Sequence, residues 1–448
     1  MLTLNEVQAT ATELWRAHAD EMPRLEEIRD YMLGKRGRPT LPDDPDEEII
    51  ELSRLAVKNV MPLVVDTFVD ACQAIGFRSP SAESDTAAWS IWQRERMDAR
   101  QSEVHRPAVQ YGASYVLLED VDGKVRFGPR SPRRMFAAYA DPARDEWPAF
   151  ALETWQVKVS GKAVRKGLLW DDEASYPVTI NGSARTSRVT ADEVEPTAHP
   201  FGVTPVVRFV NRGDVEDLLS GEVEPLEGDQ RTLNAINFDR LVVSRFGAFP
   251  QKFIMGWAPE TGGELAKLSA RRVLAFEDSA QDVKAGSFAS ADVAAYNSLI
   301  DEQLAYIATK ARVQVHSLTG KLSNVGTETI ALIDSPNQRK SAAKRLRFGE
   351  AWEQALRKAA EREGVEVPDD AEMVWADTDA RSFAQVVDGI VKLASQGVPI
   401  ETLIDLVPGL SQQKVDVIAD AIRVANSQSM AAQIVTAVRG AQTDARVA

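Results

Sequence analysis

The densest group of side chains able to make a specific electrostatic contact lies in PNQRKSAAKRLRFG (336–349), where Arg339, Lys340, Lys344, Arg345 and Arg347 fall within nine residues. On a helix, the 340–344 and 340–347 spacings put three or four cations on one face. Such a face contacts a polyanion by neutralising phosphates and releasing counterions. It serves equally as a solvated basic face paired with carboxylates, of which the chain has 67 against 52 Lys and Arg. Both readings stay open on these residues alone.

Other chemistry is sparse. A phosphate-cradling P-loop needs two glycines bracketing four residues, then Lys and Ser or Thr. Gly-Lys occurs at 34–35, 123–124, 161–162 and 320–321, never followed by Ser or Thr and never with the upstream glycine. The four histidines, His18, His105, His199 and His316, are far apart, and no HExxH or GxSxG occurs. They are expected to be structural or solvated. Cys72, the lone cysteine, sits in an apolar stretch and reads as packing. The acidic run Asp43, Asp44, Asp46, Glu47 and Glu48 reads as a solvated loop. Asp120 and Asp122 before Gly123 look faintly like a calcium loop, but the remaining ligand positions are missing. No catalytic residue, metal or cofactor is expected.

Composition is that of a globular protein, with 448 residues, 44% hydrophobic and 27% charged. The length is too great for one ordinary domain. A net charge of -15 argues against a DNA- or membrane-coating role, though not against a protein that lets DNA pass without sticking. With one cysteine, no intrachain disulfide is possible. No signal peptide and no membrane-spanning run is read, so a soluble chain made in the cytosol is expected.

Helices are predicted at 3–32, 49–76 and 84–111, with Pro62 kinking or splitting the second and Gly112 capping the third. Two strands flank Asp122-Gly123 in SYVLLEDVDGKVRFGP (114–129), a hairpin signal. Further strands are predicted at 150–159, 166–172 and 204–211, giving an α+β region to about residue 222. Long helices at 224–247 and 291–311 then flank a mixed insert. The stretch NFDRLVVSRFGAFPQKFIMGW (237–257) begins in the first of them and is apolar on more than one face, so that helix needs neighbours on two sides. The second carries Tyr296, Leu299, Ile300, Leu304 and Ile307 along one face. A loop at 313–326, a long helix at 327–364 with a kink or break expected at Pro336, a strand at 372–378 and helices at 380–396 and 411–438 complete the chain.

The order of these elements resembles the portal proteins of tailed bacteriophages, in particular those of siphophages infecting actinobacteria. The resemblance rests on KNVMPLVVDTFVDACQAIGFR (58–78), WQRERMDARQSEVHRPAVQYGASYVLL (92–118), the stretch 237–257, KLSNVGTETIALIDSPNQRKSAAKRLRFGEAWEQAL (321–356) and WADTDARSFAQVVDGIVKLASQGVP (375–399). None of these segments is catalytic; their collinearity carries the likeness. Gly326 stands where the family often has Ser, and Pro336 interrupts a helix that is often continuous.

The resemblance implies a mainly helical portal fold with a wing at 1–223, a first stem helix at 224–247, a clip at 248–290 and a second stem helix at 291–312. It implies a tunnel loop at 313–326, a long helix and return strand at 327–379, and a crown at 380–448. It further implies a dodecameric ring at one capsid vertex of the virion, assembled in the host cytoplasm, that passes double-stranded DNA. The ring would dock the large terminase and the head–tail connector and meet the major capsid and scaffolding proteins. Channel candidates are His316, Lys321, Asn324, Arg339, Lys340, Lys344, Arg345 and Arg347. Partner-binding candidates on the clip are Phe253, Met255, Trp257, Arg271 and Arg272. Candidates for contacts between stem helices of neighbouring copies are Ile236, Phe238, Asp239, Arg240, Leu241, Arg245, Tyr296 and Leu304. The alternative is another head–tail adaptor or minor capsid protein without a DNA channel, which particle size would distinguish.

Overall fold

The computed structural model describes residues 1–41, 43–79, 82–159, 161–182, 186–214, 216–247, 252–255, 273–276, 284–287, 293–320, 327–376, 383–400, 403–404, 407 and 414–425. By contacts the chain forms two units: 1–22, 67–221 and 326–448 make one, and 23–66 with 222–325 make the other.

The first half of the chain opens with α1 (Leu4–Met32), α2 (Glu47–Leu55), α3 (Met61–Ala71), β1 (Ala74–Arg78), α4 (Ala82–Arg94) and α5 (Met97–Tyr111). The predicted helix 49–76 is therefore two helices and a strand. Pro62 lies in the first turn of α3, where its missing N–H removes no intrahelical bond, so the chain restarts there instead of kinking. Residues 74–78 leave the helical pattern to pair antiparallel with β14 (Glu372–Trp375), Phe77 opposite Met373. The predicted helix 84–111 is also two, broken at Arg96 in the left-handed region (φ 56°). Asp98, in the first turn of the new helix, accepts the Trp92 indole N–H at 2.8 Å across the break.

In the first unit, β2 (Ala113–Val121), β3 (Lys124–Arg130) and β10 (Val206–Val210) form an antiparallel sheet in the order β10-β2-β3. Its hairpin turns at Asp122 (φ 54°) and Gly123 (φ 77°), as the sequence predicts, and Asp120 Oδ1 accepts the Gly123 N–H at 3.0 Å. A six-stranded antiparallel sheet follows, in which β4 (Met135–Ala138), β5 (Phe150–Val159), β6 (Lys162–Trp170), β7 (Ala174–Asn181) and β8 (Arg188–Ala191) neighbour one another in sequence order. The short β9 (Thr197–Ala198) pairs with β7. Val7, Ala11, Leu14 and Trp15 of α1 recur at helical spacing and bury against Leu152, Leu169, Tyr176, Val178, Ile180 and Val189 of this sheet.

A second core in the same unit is aromatic. Trp352 meets Trp92 edge-on at 4.9 Å and Phe209 at 4.7 Å, while His105 stacks on Phe348 at 4.9 Å. Phe348 and Trp352 belong to α9 (Thr327–Arg362), a helix that runs unbroken through Pro336, whose ring is on the exposed side. The expected break there is absent. Gly112 caps α5 in the left-handed region (φ 108°), as predicted. Beside it the chain crosses so closely that a Cβ on Gly221 would lie 2.2 Å from the Gln110 carbonyl oxygen.

In the second unit a 3₁₀ turn at Glu224–Leu226 leads into α6 (Glu227–Gly247), and α7 (Val293–Ala311) packs against it. Between them β11 (Lys252–Met255) is flanked by β12 (Val273–Phe276) in parallel and β13 (Lys284–Ser287) antiparallel. Residues 315–319, within the predicted loop, form a short helix, α8 (Val315–Thr319), closed by Gly320 at φ 66°.

Candidate functional site

Helix α6 carries a polar ladder that its sequence did not advertise. Gln230, Asn234 and Asn237 recur at three- and four-residue steps and are buried. Gln230 Oε1 accepts the Val60 N–H at 3.0 Å, and its amide donates to Lys58 O at 2.9 Å. Asn234 Oδ1 accepts the Lys58 N–H at 3.0 Å and the Gln230 amide at 2.8 Å, while its own amide donates to Gly37 O at 2.9 Å. Asn237 donates to Ala56 O at 2.8 Å. These side chains satisfy backbone groups of the irregular segment 56–60, which buried backbone requires. They fix α6 to that segment.

The other flank of α6 meets α7, whose Ile300, Leu304, Ile307, Ala308 and Ala311 form the buried stripe. Polar contacts register the pair: Lys310 Nζ to Asp229 at 2.7 Å, Arg240 to Asn297 Oδ1 at 3.3 Å and Gln303 to Asp229 O at 3.3 Å. The two-sided demand of α6 is thus met in good part within one chain. Leu304, 1% exposed, belongs to this intrachain core and not to a surface between copies. Ile236, Phe238, Arg240, Leu241 and Tyr296 are half-buried, and Asp239 and Arg245 are exposed. Arg245 Nε holds Glu48 at 2.6 Å; that carboxylate raises the guanidinium pKa, an exposed pairing. The large apolar side chains left open on α7 are Leu299 (47% exposed) and Tyr306 (56%), seven residues apart and beside the buried stripe. The helical period groups Leu299 with Ile300, and the packing separates them; nothing in the spacing singles out Tyr306.

At the N-terminal end of α6, Glu227 faces Glu27 and Glu224, with Arg24 and Arg231 nearby. Burial, reinforced by the two carboxylates, pushes its pKa up to about 7. Arg24 pairs with Glu224 at 2.9 Å.

Lys340, Lys344 and Arg347 keep to one side of α9, as their spacing predicts, but that side packs against Phe68 and Asn211 of the same unit. Lys344 is buried at 3% exposure, its ammonium 4.8 Å from the centre of the Phe68 ring and hydrogen-bonded to Asn211 Oδ1. Lys340 approaches the same ring at 4.7 Å. Arg345 donates to Ala71 O at 2.7 Å, the last carbonyl of α3, where a cation complements the negative end of the helix dipole. Lys344 therefore leaves the candidate channel set, because its cation is held inside the unit. Arg339 is exposed and donates to Ser335 O at 3.4 Å, while exposed Arg347 donates to Asn211 O at 3.1 Å. His316 lies half-buried in α8. Lys321, Asn324, Trp257, Arg271 and Arg272 lie outside the described residues, as do the side chains of Phe253 and Met255 on β11.

Three histidines are structural. His105 is fully buried, its Nε2 accepts the Trp352 indole N–H at 2.9 Å, and burial drives its pKa down to about 3. His18 meets Pro132 O at 2.8 Å and His199 meets Asp171 O at 3.0 Å, both with pKa lowered by burial. Burial raises the Cys72 thiol to about 11, against the pull of Arg345 and Lys344. Among the described residues no three His, Cys, Asp or Glu side chains are grouped to hold a metal, and no helix is long and apolar enough to cross a membrane.

The described residues form an α+β fold of packed helices and antiparallel sheets. A family model described as "Phage portal protein, SPP1 Gp6-like" matches residues 12–429, and the chain belongs to that family. Its members are structural proteins and not enzymes. A portal protein of Mycobacterium phage D29 is 27% identical over 361 residues, covering 75% of this chain and 72% of its own. That of Mycobacterium phage L5 is 27% identical over 359 residues with the same coverage. Both relatives come from actinobacterial siphophages, the group the sequence resembles. Among solved structures, the neck of an empty gene transfer agent particle aligns with a TM-score of 0.47 and 15% identity, covering 87% of this chain and 97% of that one. The virion of the native gene transfer agent particle aligns with a TM-score of 0.43 and 13% identity over 88% and 99%.

Proposed function

We propose that twelve copies of this chain close into a ring at one vertex of a phage capsid and that double-stranded DNA passes through its channel during packaging and ejection. Family membership over 12–429 supports the portal role. The observation that carries the ring is the helix pair: α6 and α7 satisfy each other along one stripe, yet Leu299 and Tyr306 of α7 stay exposed and Phe238 and Leu241 of α6 only half-buried. In a head-to-tail ring such a surface meets a different surface of the next copy, and rotation closes the set.

In this reading α6 and α7 are the stem and the insert 248–290 is the clip that docks the large terminase and then the head–tail connector. The wing meets capsid and scaffolding proteins, and 380–448 form the crown. The tunnel loop, 313–326, with Lys321, narrows the channel. The acidic chain keeps DNA contacts few, since each phosphate neutralised by Lys or Arg adds to binding and so to drag on a moving duplex.

Purified protein imaged down the ring axis by electron microscopy should give closed rings of roughly 0.6 MDa, twelve copies of 49.2 kDa. Single chains or open filaments at micromolar concentration would overturn the reading.

A further inference from the structure

Six cations line a cavity of about 830 Å³ between the α4–α5 junction and the β2–β3 hairpin: Arg94, Arg96, Arg100, Lys124, Arg126 and Arg130. Four of them already have carboxylates within the chain. Arg94 and Lys124 share Glu363, Arg100 meets Glu103 at 3.3 Å and Arg130 meets Glu153 at 2.7 Å. Arg96 and Arg126 are exposed and have no side-chain hydrogen bond or ion pair among the described residues. Two unpaired guanidinium forks therefore face one cavity, and such forks match carboxylates in geometry as well as charge.

The same cavity is lined by Glu95, Glu119 and Asp122. A continuous phosphate backbone would be repelled by these three, whereas a peptide can place separate carboxylates on the two arginines and bypass the acids. The chain itself carries such a peptide in its other unit. Asp43, Asp44 and Asp46, just before α2, and Glu47 in its first turn are exposed and have no side-chain partner among the described residues. A head-to-tail ring needs two different, complementary patches on one chain.

We propose that the acidic stretch 43–47 of one copy docks in the Arg96/Arg126 cavity of a second copy. The inference rests on the ring reading and goes beyond it by assigning one charged contact between copies.

Crosslinking tests it directly. Chains carrying Arg126→Cys are co-assembled with chains carrying Asp44→Cys and oxidised; Cys72 is buried and does not compete. A disulfide-linked dimer on a denaturing gel is expected, and none is expected when Thr232→Cys replaces Asp44→Cys. In parallel, Arg96→Glu with Arg126→Glu should lower the ring fraction at low salt about tenfold, with Asp43→Lys and Asp44→Lys restoring it. The proposal is overturned by rings of normal yield from the arginine double variant, by absence of the dimer in intact rings, or by a disulfide formed only within a chain carrying both cysteines. Loss of binding to a short DNA duplex by the arginine double variant, with assembly untouched, would assign the cavity to nucleic acid instead. Failure of the unaltered chain to form rings would sink the ring reading itself.

Discussion

Replacing Asn234 with alanine should release the segment 37–60 from helix α6 without touching an apolar contact. The amide is fully buried and makes three hydrogen bonds, to Lys58 N–H at 3.0 Å, the Gln230 amide at 2.8 Å and Gly37 O at 2.9 Å. Truncation takes a partner from one buried Gln230 amide hydrogen, worth about 1–3 kcal/mol, and from the part-buried Lys58 N–H and Gly37 carbonyl, worth less each. The space vacated by an amide is polar and admits a water, which recovers part of the loss. The net cost should be about 3 kcal/mol, or roughly a hundredfold in the local opening equilibrium. Hydrogen exchange read by mass spectrometry or NMR on dispersed chains reports this at the Lys58 amide, which should exchange about a hundredfold faster. If the Lys58 amide changes less than about threefold, the polar ladder is not what holds this segment and the reasoning fails.

Leu299→Asp or Tyr306→Asp should abolish rings while leaving the monomer folded, whereas Leu304→Asp should also unfold the monomer by burying an unpaired carboxylate, at several kcal/mol; sizing with circular dichroism separates the cases, and unimpaired rings from the first two would remove α7 from the interface. His105 titrates near 3 in the folded chain against an ordinary value of 6.5, so its contribution is complete above pH 6.5 and is lost as pH falls towards 3, up to roughly 5 kcal/mol. His105→Phe should flatten that part of the acid-unfolding profile, and an unchanged slope would refute the assignment. Gly221→Ala should cost several kcal/mol, since its Cβ would meet the Gln110 carbonyl oxygen at 2.2 Å. Gly228→Ala, in open space on α6, should gain up to about 1 kcal/mol; equal thermal shifts for the two would contradict the close crossing.

Local signals were legible. Gly112 marks the end of α5, Asp122-Gly123 marks the hairpin, and the strand-like run 150–159 matches β5, because each depends on the chain within a few residues. What failed depended on distant partners. Residues 74–76 read as helix because they follow an apolar helix, and only β14, some 300 residues on, makes them a strand. The fate of the basic cluster was set by Phe68, Ala71 and Asn211, which no spacing along 336–349 reveals. The α7 helix was legible by period, but Leu299 and Ile300 are adjacent in sequence and only packing decides which is covered. Gln230, Asn234 and Asn237 carried a readable three–four spacing, yet polar residues at that spacing ordinarily mark the wet face of a helix.

The docking of α1 on the six-stranded sheet sets a timetable for the newborn chain. Val7, Ala11, Leu14 and Trp15 are made before the strands that cover them, which end at Val189 and beyond. At ordinary translation rates of about 5–20 residues per second, those side chains wait roughly 10–35 s on the ribosome before a partner exists. The sheet itself is a run of sequence-adjacent hairpins and can form as it emerges. The apolar stripe of α1 therefore stays without its sheet throughout that interval, open to any other apolar surface that reaches it first.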